Sequence, residues 1–273
     1  MGREGRGVTL SSAERERALA VALDAAREAG EILMGFFGNL DPALIGHKST
    51  ARDLVTEADL ASERCLVARL RGAFPEHELE AEEAVRDAES SRPRWFLDPL
   101  DGTVNFVHRL PCFAVSLGLV VDGQPEVAVV HAPRLAETFR AVRSGGAFIG
   151  DERLHVSATS ALGDAILATG FPYRREGRRS SNLENFGALL GEVRDLRRMG
   201  SAALDLAYVA AGRFDGFWEL SLAPHDVAAG ALLVREAGGL VTDLDGGEDW
   251  LRGGHIVAAG PALHPGLRRR LVH

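Results

Sequence analysis

The sequence predicts a mixed α/β protein, and three patterns carry that prediction. Two long stretches of helical periodicity open the chain, an alternating segment and two further strand-like segments follow them, and strands then interleave with helices. Alternation with a period of two is typical of strands, whereas apolar residues three and four apart are typical of helices. We therefore expect two helices and an antiparallel meander in the first half, and a layered α/β arrangement in the second.

The first helix is predicted over residues 11–37. Ser11 and Glu14 have the spacing of a capping box, and Gly38 can end the helix. Helical spacing places one set of small and apolar residues on a single face. That face consists of Leu19, Leu23, Ala26, Gly30, Leu33 and Phe37.

The second helix is predicted to begin at Thr56 or Glu57 and to run to Phe74. Pro75 lies just beyond, where it disfavours further helix. The residues expected to face the core are Leu60, Val67, Leu70 and Phe74. This helix begins inside the acidic segment 53–59.

A charged segment and a short strand connect these helices to the meander. Residues 83–94 are predicted to form a solvated loop with one helical turn, because charged residues dominate them. Residues 95–97 are predicted to form a buried strand that leads directly into Asp98. The meander strands are expected at 113–121, 126–131 and 137–142.

The second half is predicted to alternate between strands and helices. Its strands are expected at 164–169, 214–220, 240–243 and 255–259. Its helices are expected at 183–193, at 201–211, from about Asp226 to Ala237, and from 262 onward. This succession favours a single domain over 1–273, with sub-lobes at about 11–155 and 156–273.

Composition and charge exclude several classes of protein. The formal net charge of −8 argues against nucleic acid as the main substrate, because binding of its phosphates requires a dense basic face. The chain lacks both a run of about 18 apolar residues and an apolar signal-peptide core, so we expect a cytoplasmic protein without a membrane anchor. Cys65 and Cys112 are expected to be buried free thiols.

Two carboxylates, Asp98 and Asp101, lie three residues apart at the end of a predicted strand. Pro99 stiffens the turn between them, and Gly102 lets other backbone approach closely. Carboxylates without a nearby histidine or cysteine favour Mg²⁺, Mn²⁺ or Ca²⁺ over Zn²⁺. The alternative is that both residues serve only the turn.

This segment differs from the phosphatase motif in which an aspartate accepts the phosphoryl group. In that motif the nucleophilic aspartate lies two residues before a second aspartate, and here Pro99 occupies the position. The chain therefore lacks that nucleophile. We expect a metal-activated water to attack phosphorus instead.

Further acidic residues each have an ordinary structural explanation when taken alone. Glu82 lies in a charge run, which is usually a solvated face. Asp226 can cap a helix, and either Asp53 or Asp59 can lie at a helix start. Their order along the chain is more informative than any one of them.

In that order, the acidic segments resemble the inositol monophosphatase family. The resembling segments are DLVTEAD at 53–59, Glu82-Glu83, WFLDPLDGTVNF at 95–106, GSAALD at 200–205 and DVAAG at 226–230. The likeness covers about residues 12–262, nearly the whole chain. It implies an α-β-α-β-α sandwich of the sugar-phosphatase type, a homodimer, and hydrolysis of a small phosphate monoester, foremost inositol monophosphate. It also implies two or three Mg²⁺ ions as cofactor, replacement by Mn²⁺, and inhibition by Ca²⁺ or Li⁺.

The resemblance implies a role for each matching residue. The implied metal ligands are Glu82, Asp98, the backbone carbonyl of Leu100, Asp101 and Asp226. Glu82, Thr103 and Asp53 would orient or activate the attacking water. The implied phosphate and alcohol contacts are Gly102, Thr103, Gly200, Ser201, Ala202, Glu219 and Asp226.

Some positions depart from the family pattern or leave alternatives open. His225 stands where the family usually has Trp, and either changes packing or contacts substrate. Residues 171–175 form either a basic rim for an anionic substrate or a solvated loop. Related enzymes with the same metal core act on histidinol phosphate, 3′-phosphoadenosine 5′-phosphate, fructose 1,6-bisphosphate or NADP. A further alternative is an interaction protein that associates with transcription machinery, as some bacterial members do.

Overall fold

The computed structural model describes residues 10–41, 45–47, 54–172 and 182–272. The helices of this part of the chain are α1 (Ser12–Phe36), α2 (Glu57–Ala73), α3 (Thr103–Val107), α4 (Leu183–Leu190), α5 (Ala202–Ala210), α6 (Pro224–Glu236) and α7 (His264–Arg268). The strands are β1 (Gly46–His47), β2 (Leu54–Val55), β3 (Glu78–Ala81), β4 (Arg94–Asp101), β5 (Ala114–Val121), β6 (Gln124–Ala132), β7 (Glu137–Val142), β8 (Gly146–Ile149), β9 (Glu152–Arg153), β10 (Ile166–Thr169), β11 (Asp195–Arg197), β12 (Gly216–Leu220), β13 (Leu240–Thr242) and β14 (His255–Ala259).

The strands form one large and one smaller sheet, besides the short pair β1–β2. The larger sheet has seven strands in the order β3-β4-β5-β6-β7-β8-β9, all antiparallel neighbours except the parallel pair β3–β4. The smaller sheet has five strands in the order β11-β10-β12-β14-β13. Its first three strands run parallel, and the remaining pairs are antiparallel. The predicted meander is thus confirmed, and β8 and β9 extend it beyond the prediction.

Five layers result from the packing of helices on both sheets. Helices α1 and α2 pack on the outer face of the seven-stranded sheet, while α5 and α6 lie between the two sheets. Helix α7 packs on the outer face of the five-stranded sheet, in a separate apolar cluster to which Leu189 of α4 contributes. This arrangement confirms the expected α-β-α-β-α sandwich.

Strand β5 was predicted from its alternation, but the alternation did not show that both of its faces are buried. Phe113 before the strand, and the strand residues that follow it at every second position, pack against the outer helices. The opposite face, including Ala114 and Val120, belongs to the cluster around α5 and α6. Both faces are buried because the sheet lies between two helix layers.

The buried face of α2 differs from the prediction. Leu60 was expected in the core but has 39% of its surface exposed, whereas Leu70 is fully buried as expected. The polar residues Asp59, Ser62 and Glu63 are buried instead. Hydrophobic periodicity cannot predict this face, because polar side chains are buried only where other parts of the chain form hydrogen bonds with them.

Strand β3 was not predicted, since it carries two glutamates. Glu78 and Glu80 are both buried, and each accepts a hydrogen bond from Arg94 on the neighbouring strand. Arg252 also binds Glu80 through two nitrogens, each at 3.1 Å. These pairings make the burial of both carboxylates tolerable. The helical turn predicted within residues 83–94 is wrong, because all of these residues are described and none is helical.

Two further expectations concern the thiols and membranes. Cys65 and Cys112 are free, as expected, but both are only partly buried. None of the helices in the described part of the chain is long and apolar enough to span a membrane.

Candidate active site

A β-bulge places Asp98 and Asp101 on the same side of β4. Residues three apart on a regular strand point to opposite faces, because successive side chains alternate. Here Asp98 pairs with Ser116 and Asp101 with Ala114, so β4 contains one residue more than β5 between these pairs. The extra residue restores a common direction for the two carboxylates. Pro99 lies inside the bulge, where a missing amide hydrogen is tolerated.

Contacts within the chain hold both aspartates in place. Asp98 Oδ1 accepts a hydrogen bond from the amide of Leu100 at 3.0 Å. Asp101 Oδ2 accepts one from Ser201 Oγ at 2.7 Å and one from the amide of Ala203 at 2.8 Å. Because Ser201 is also the N-cap of α5, the start of that helix is joined directly to the end of β4.

Gly102 joins the bulge to the short helix α3 and requires the absence of a side chain. Its φ of 94° lies in the left-handed region that favours glycine. A Cβ at this position would lie 2.9 Å from the carbonyl oxygen of Cys112 and 3.2 Å from that of Gly200. The close approach brings the Gly200 segment against the end of β4.

Thr103 follows Gly102 and forms a hydrogen bond with the start of α2. Its hydroxyl lies 3.1 Å from Asp59 Oδ1 and 3.2 Å from the carbonyl oxygen of Leu100. Since a hydroxyl carries one hydrogen, donation to Asp59 leaves the Leu100 carbonyl available to another partner. The second oxygen of Asp59 accepts from the amide and the hydroxyl of Thr56, which caps α2.

These residues line one cavity of about 100 Å³, formed where α3, α5, α6 and strands of both sheets meet. Every predicted site residue other than Asp53 contributes to its wall. The predicted residues along it are Glu82, Asp98, Leu100, Asp101, Gly102, Thr103, Gly200, Ser201, Ala202, Glu219 and Asp226. Asp53 lies outside the described residues.

Helix α6 positions Asp226 differently from the prediction. The helix begins at Pro224, so Asp226 lies in its first turn and does not precede it. Its Oδ2 accepts a hydrogen bond from the amide of Ala223 at 2.6 Å. The carboxylate therefore caps the helix by reaching back, while it also faces the cavity.

The cavity concentrates negative charge. Six carboxylates line it, and Arg198 is the one basic side chain among its described lining residues. Burial, followed by the nearby Asp226 carboxylate, raises the pKa of Asp101 to about 7 and that of Glu219 to about 8. Burial, followed by Glu219, raises the pKa of Asp205 well above its ordinary value. The fold thus gathers carboxylates that repel one another unless protons or cations intervene.

The donor set of the cavity suits a hard cation held partly by water. All of its acidic groups are oxygen donors, which Mg²⁺ prefers, and none of its described lining residues is a histidine or a cysteine. Within the described ranges, no three His, Cys, Asp or Glu side chains converge into a ready-made metal cluster. Mg²⁺ does not require one, because it commonly binds through a few carboxylates and completes its shell with water and phosphate. We therefore judge that these residues fit the metal.

His225 lies beside the cavity, not in its wall. Its Nε2 is 3.8 Å from Asp226 Oδ1, and its carbonyl oxygen accepts from Ser116 Oγ at 3.5 Å. The ring borders an adjacent cavity that it shares with Glu82 and Arg252. Of the segment predicted as a rim, Phe171 and Pro172 line the main cavity, and 173–175 lie outside the described residues.

Several residues that shape this site were missed by sequence reasoning. Arg198 and Asp205 line the cavity, and Glu63 supports the turn that follows Glu82. The available signal for Arg198 was its position two residues before the predicted segment at 200–202. Glu63 has no such signal, because an acidic residue within a helix is ordinarily solvated.

Comparison with known proteins identifies the family. The inositol monophosphatase family model matches residues 14–273. A Pseudomonas aeruginosa protein named Nus factor SuhB is 45% identical over 270 residues, which cover 92% of this chain and 98% of that protein. An inositol-1-monophosphatase of Mesorhizobium japonicum is 42% identical over 254 residues, with 93% and 95% of the two chains covered.

The fold agrees with this relationship. The crystal structure of the extragenic suppressor protein SuhB from Bartonella henselae is similar with a TM-score of 0.86 and 41% sequence identity. The similarity covers 93% of this chain and 97% of that one. Sequence and structure lead to the same result: this chain belongs to the inositol monophosphatase family.

Proposed function

We propose that this protein is a magnesium-dependent phosphatase that hydrolyses a small phosphate monoester, with inositol monophosphate as the foremost substrate. The observation that carries the proposal is the cavity whose described lining residues include six carboxylates and one arginine. A phosphate dianion would be repelled from such a site, whereas bound cations would reverse its charge. From the charges of these described residues, we expect the site to need bound cations before it accepts its substrate.

The residues that would hold Mg²⁺ are Glu82, Asp98, the Leu100 carbonyl, Asp101 and Asp226. When bound, the metal would withdraw charge from phosphate oxygens and lower the pKa of a coordinated water. The bulge in β4 and the contacts from Ser201 and Ala203 keep two of these carboxylates in fixed directions. Fixed donors reduce the reorganisation that accompanies the reaction.

Thr103 and Asp59 form the pair that would orient the attacking water. Because the Thr103 hydroxyl donates to Asp59, its oxygen can accept a hydrogen bond from that water and turn it toward phosphorus. Asp53, the partner that the resemblance implies, lies outside the described residues. Asp59 is proposed beside it, because Asp59 contacts Thr103. Glu82, which lines the same cavity, would contact this water as well.

Phosphate and alcohol would occupy neighbouring parts of the cavity. The amides of Gly102 and Thr103 are proposed to bind phosphate oxygens, and Gly200, Ser201 and Ala202 to border the alcohol. Glu219 would accept hydrogen bonds from hydroxyl groups of a polyol. The name of the Mesorhizobium relative supports inositol monophosphate ahead of the other phosphate esters considered.

A phosphate-release panel tests this proposal. It would compare inositol 1-phosphate, glycerol 2-phosphate, histidinol phosphate, fructose 1,6-bisphosphate, NADP and 3′-phosphoadenosine 5′-phosphate, each with Mg²⁺, Mn²⁺, Ca²⁺, added Li⁺ or a chelator. We expect release that depends on Mg²⁺, is highest for inositol 1-phosphate, and is lost in Asp101→Asn while circular dichroism shows a folded chain. Full activity of that variant, or activity in the chelator, would refute the metal assignment.

A second candidate function is an association with transcription machinery. Relatives at 45% and 44% identity carry the name Nus factor SuhB, and that observation favours it. Affinity purification of the tagged chain, with Asp101→Asn in parallel, would separate the two functions. Co-purification of RNA polymerase by an inactive variant would show a role independent of hydrolysis.

Sedimentation of the same samples would test the predicted homodimer.

A further inference from the structure

One face of α2 contacts two separate segments of the proposed active site, residues 99–103 and the turn after Glu82. Asp59, Ser62 and Glu63 lie at helical spacing and are all buried. Asp59 accepts from the Thr103 hydroxyl, and Ser62 Oγ donates to the carbonyl oxygen of Pro99 at 2.8 Å. Glu63 contacts the turn after Glu82. The helix thus links parts of the chain that supply different residues of the cavity.

Glu63 binds three consecutive backbone amides. Its Oε2 accepts from the amide of Glu83 at 2.9 Å, and its Oε1 accepts from those of Ala84 at 3.0 Å and Val85 at 3.2 Å. Successive amides that converge on one anion form a nest, which defines the path of the backbone around the anion. A charged acceptor strengthens each bond relative to a neutral one.

The nest lies directly after Glu82, a proposed metal ligand. On the other side of that residue, the Ala81 amide donates to the Val85 carbonyl at 2.7 Å, and the Glu82 amide donates to the Leu97 carbonyl at 3.1 Å. Glu82 is therefore bounded by β3 before it and by the Glu63 nest after it. Without Glu63, the backbone from 83 to 85 would lose three hydrogen bonds at once.

We propose that Glu63 is a positioning residue that holds Glu82 in the direction required for metal binding, an inference that rests on the proposed function. Glu63 itself does not line the cavity, so it acts through the 83–85 backbone. Residues that orient metal ligands from behind typically contribute about 10–100-fold to metal affinity. A purely structural role would instead lower stability and leave metal affinity unchanged.

The test is Glu63→Gln, in which one carboxylate oxygen becomes an amide nitrogen that cannot accept the backbone hydrogens. Glu126→Gln is the matched control, because Glu126 is an equally buried glutamate that pairs with Arg15 and Arg143 away from the cavity. Both variants and the unmodified protein would be titrated with Mn²⁺ alone, with free Mn²⁺ measured by electron paramagnetic resonance. For the same three proteins, thermal unfolding would be measured without metal, and phosphate release would be measured as a function of Mg²⁺ concentration.

We expect Glu63→Gln to weaken Mn²⁺ binding about tenfold or more and to raise the Mg²⁺ requirement by a similar factor. Glu126→Gln should lose stability but keep the Mn²⁺ affinity of the unmodified protein. Equal Mn²⁺ affinity in Glu63→Gln and the unmodified protein would overturn the proposal. If Glu63→Gln does not fold, Glu63→Asp decides: weaker Mn²⁺ binding by this shorter carboxylate supports the proposal, and unchanged binding overturns it. Failure of the unmodified protein to bind Mn²⁺ or release phosphate would instead refute the proposed function itself.

Discussion

The hydroxyl of Thr103 lies 3.1 Å from Oδ1 of Asp59, a residue 44 positions earlier in the chain. The contact joins the start of α3 to the start of α2 and orients the hydroxyl at the edge of the cavity. We expect Thr103→Val, which keeps the shape but removes the hydroxyl, to lower kcat about a hundredfold or more.

The control for this prediction is Thr103→Ser, which retains a hydroxyl and should retain most of the activity. Steady-state phosphate release at saturating Mg²⁺ measures both variants. If Thr103→Val keeps the kcat of the unmodified protein, Thr103 has no part in orienting the attacking water.

Gly170 leaves the space that the Glu219 carboxylate occupies. A Cβ at Gly170 would overlap both carboxylate oxygens of Glu219, far inside van der Waals contact. Gly170→Ala should therefore displace Glu219 and raise KM for inositol 1-phosphate more than for 4-nitrophenyl phosphate, which lacks a polyol. Gly187→Ala is the control, because Gly187 lies in α4 with no atom near its added methyl group. Equal changes in KM for both substrates would exclude Glu219 from alcohol recognition.

Glu219 also makes the stability of the metal-free protein depend on pH. Burial, and then Asp226, raises the pKa of Glu219 from 4.5 to about 8. Below pH 4.5 the Glu219 carboxyl carries its proton in both the folded and the unfolded chain, so it does not lower the free energy of unfolding there. As pH rises toward 8, the unfolded chain has lost a proton that the folded chain retains, and the free energy of unfolding falls.

Glu219→Gln should therefore show a smaller decrease in Tm than the unmodified protein between about pH 5 and pH 8. The measurement is thermal unfolding in the presence of a chelator across that range. Parallel Tm curves for the two proteins would show that Glu219 does not titrate differently in the folded state.

Arg252 connects the two halves of the chain through Glu80. Its guanidinium binds both oxygens of that buried carboxylate at 3.1 Å and lies over the Phe96 ring at 5.1 Å. Arg252→Gln should reduce the free energy of unfolding by about 2 kcal/mol, because a buried charge loses a charged partner. Arg194→Gln should cost less than about 1 kcal/mol, since both Arg194 and its partner Asp164 are exposed. Urea unfolding measures the free energy of unfolding of both variants. Equal decreases would show that the pairing of Arg252 with Glu80 stabilises the fold no more than an exposed ion pair does.

Much of the fold could be predicted because local patterns agree with the tertiary structure. The capping box of Ser11 and Glu14 begins α1 as predicted, and the alternation across β5 identified a central strand. The prediction missed strand β3, whose polar glutamates are buried because they pair with arginines. Arg94 and Arg252 neutralise the buried glutamates of strand β3, and Arg252 lies 172 residues beyond Glu80 in the chain.

The sequence by itself determined which carboxylates are candidates for the site, since Asp98, Asp101 and Asp226 stand in a distinctive order. It also determined that Pro99 stands where an aspartyl nucleophile would lie. Only the tertiary structure decided how these residues meet. A one-residue bulge turns Asp98 and Asp101 to one side, and α2 contacts Thr103 through Asp59. Such relationships depend on register and on contacts between residues far apart in sequence, which periodicity does not encode. Local propensity therefore specifies the elements, while long-range pairing of buried polar groups specifies the geometry of the site.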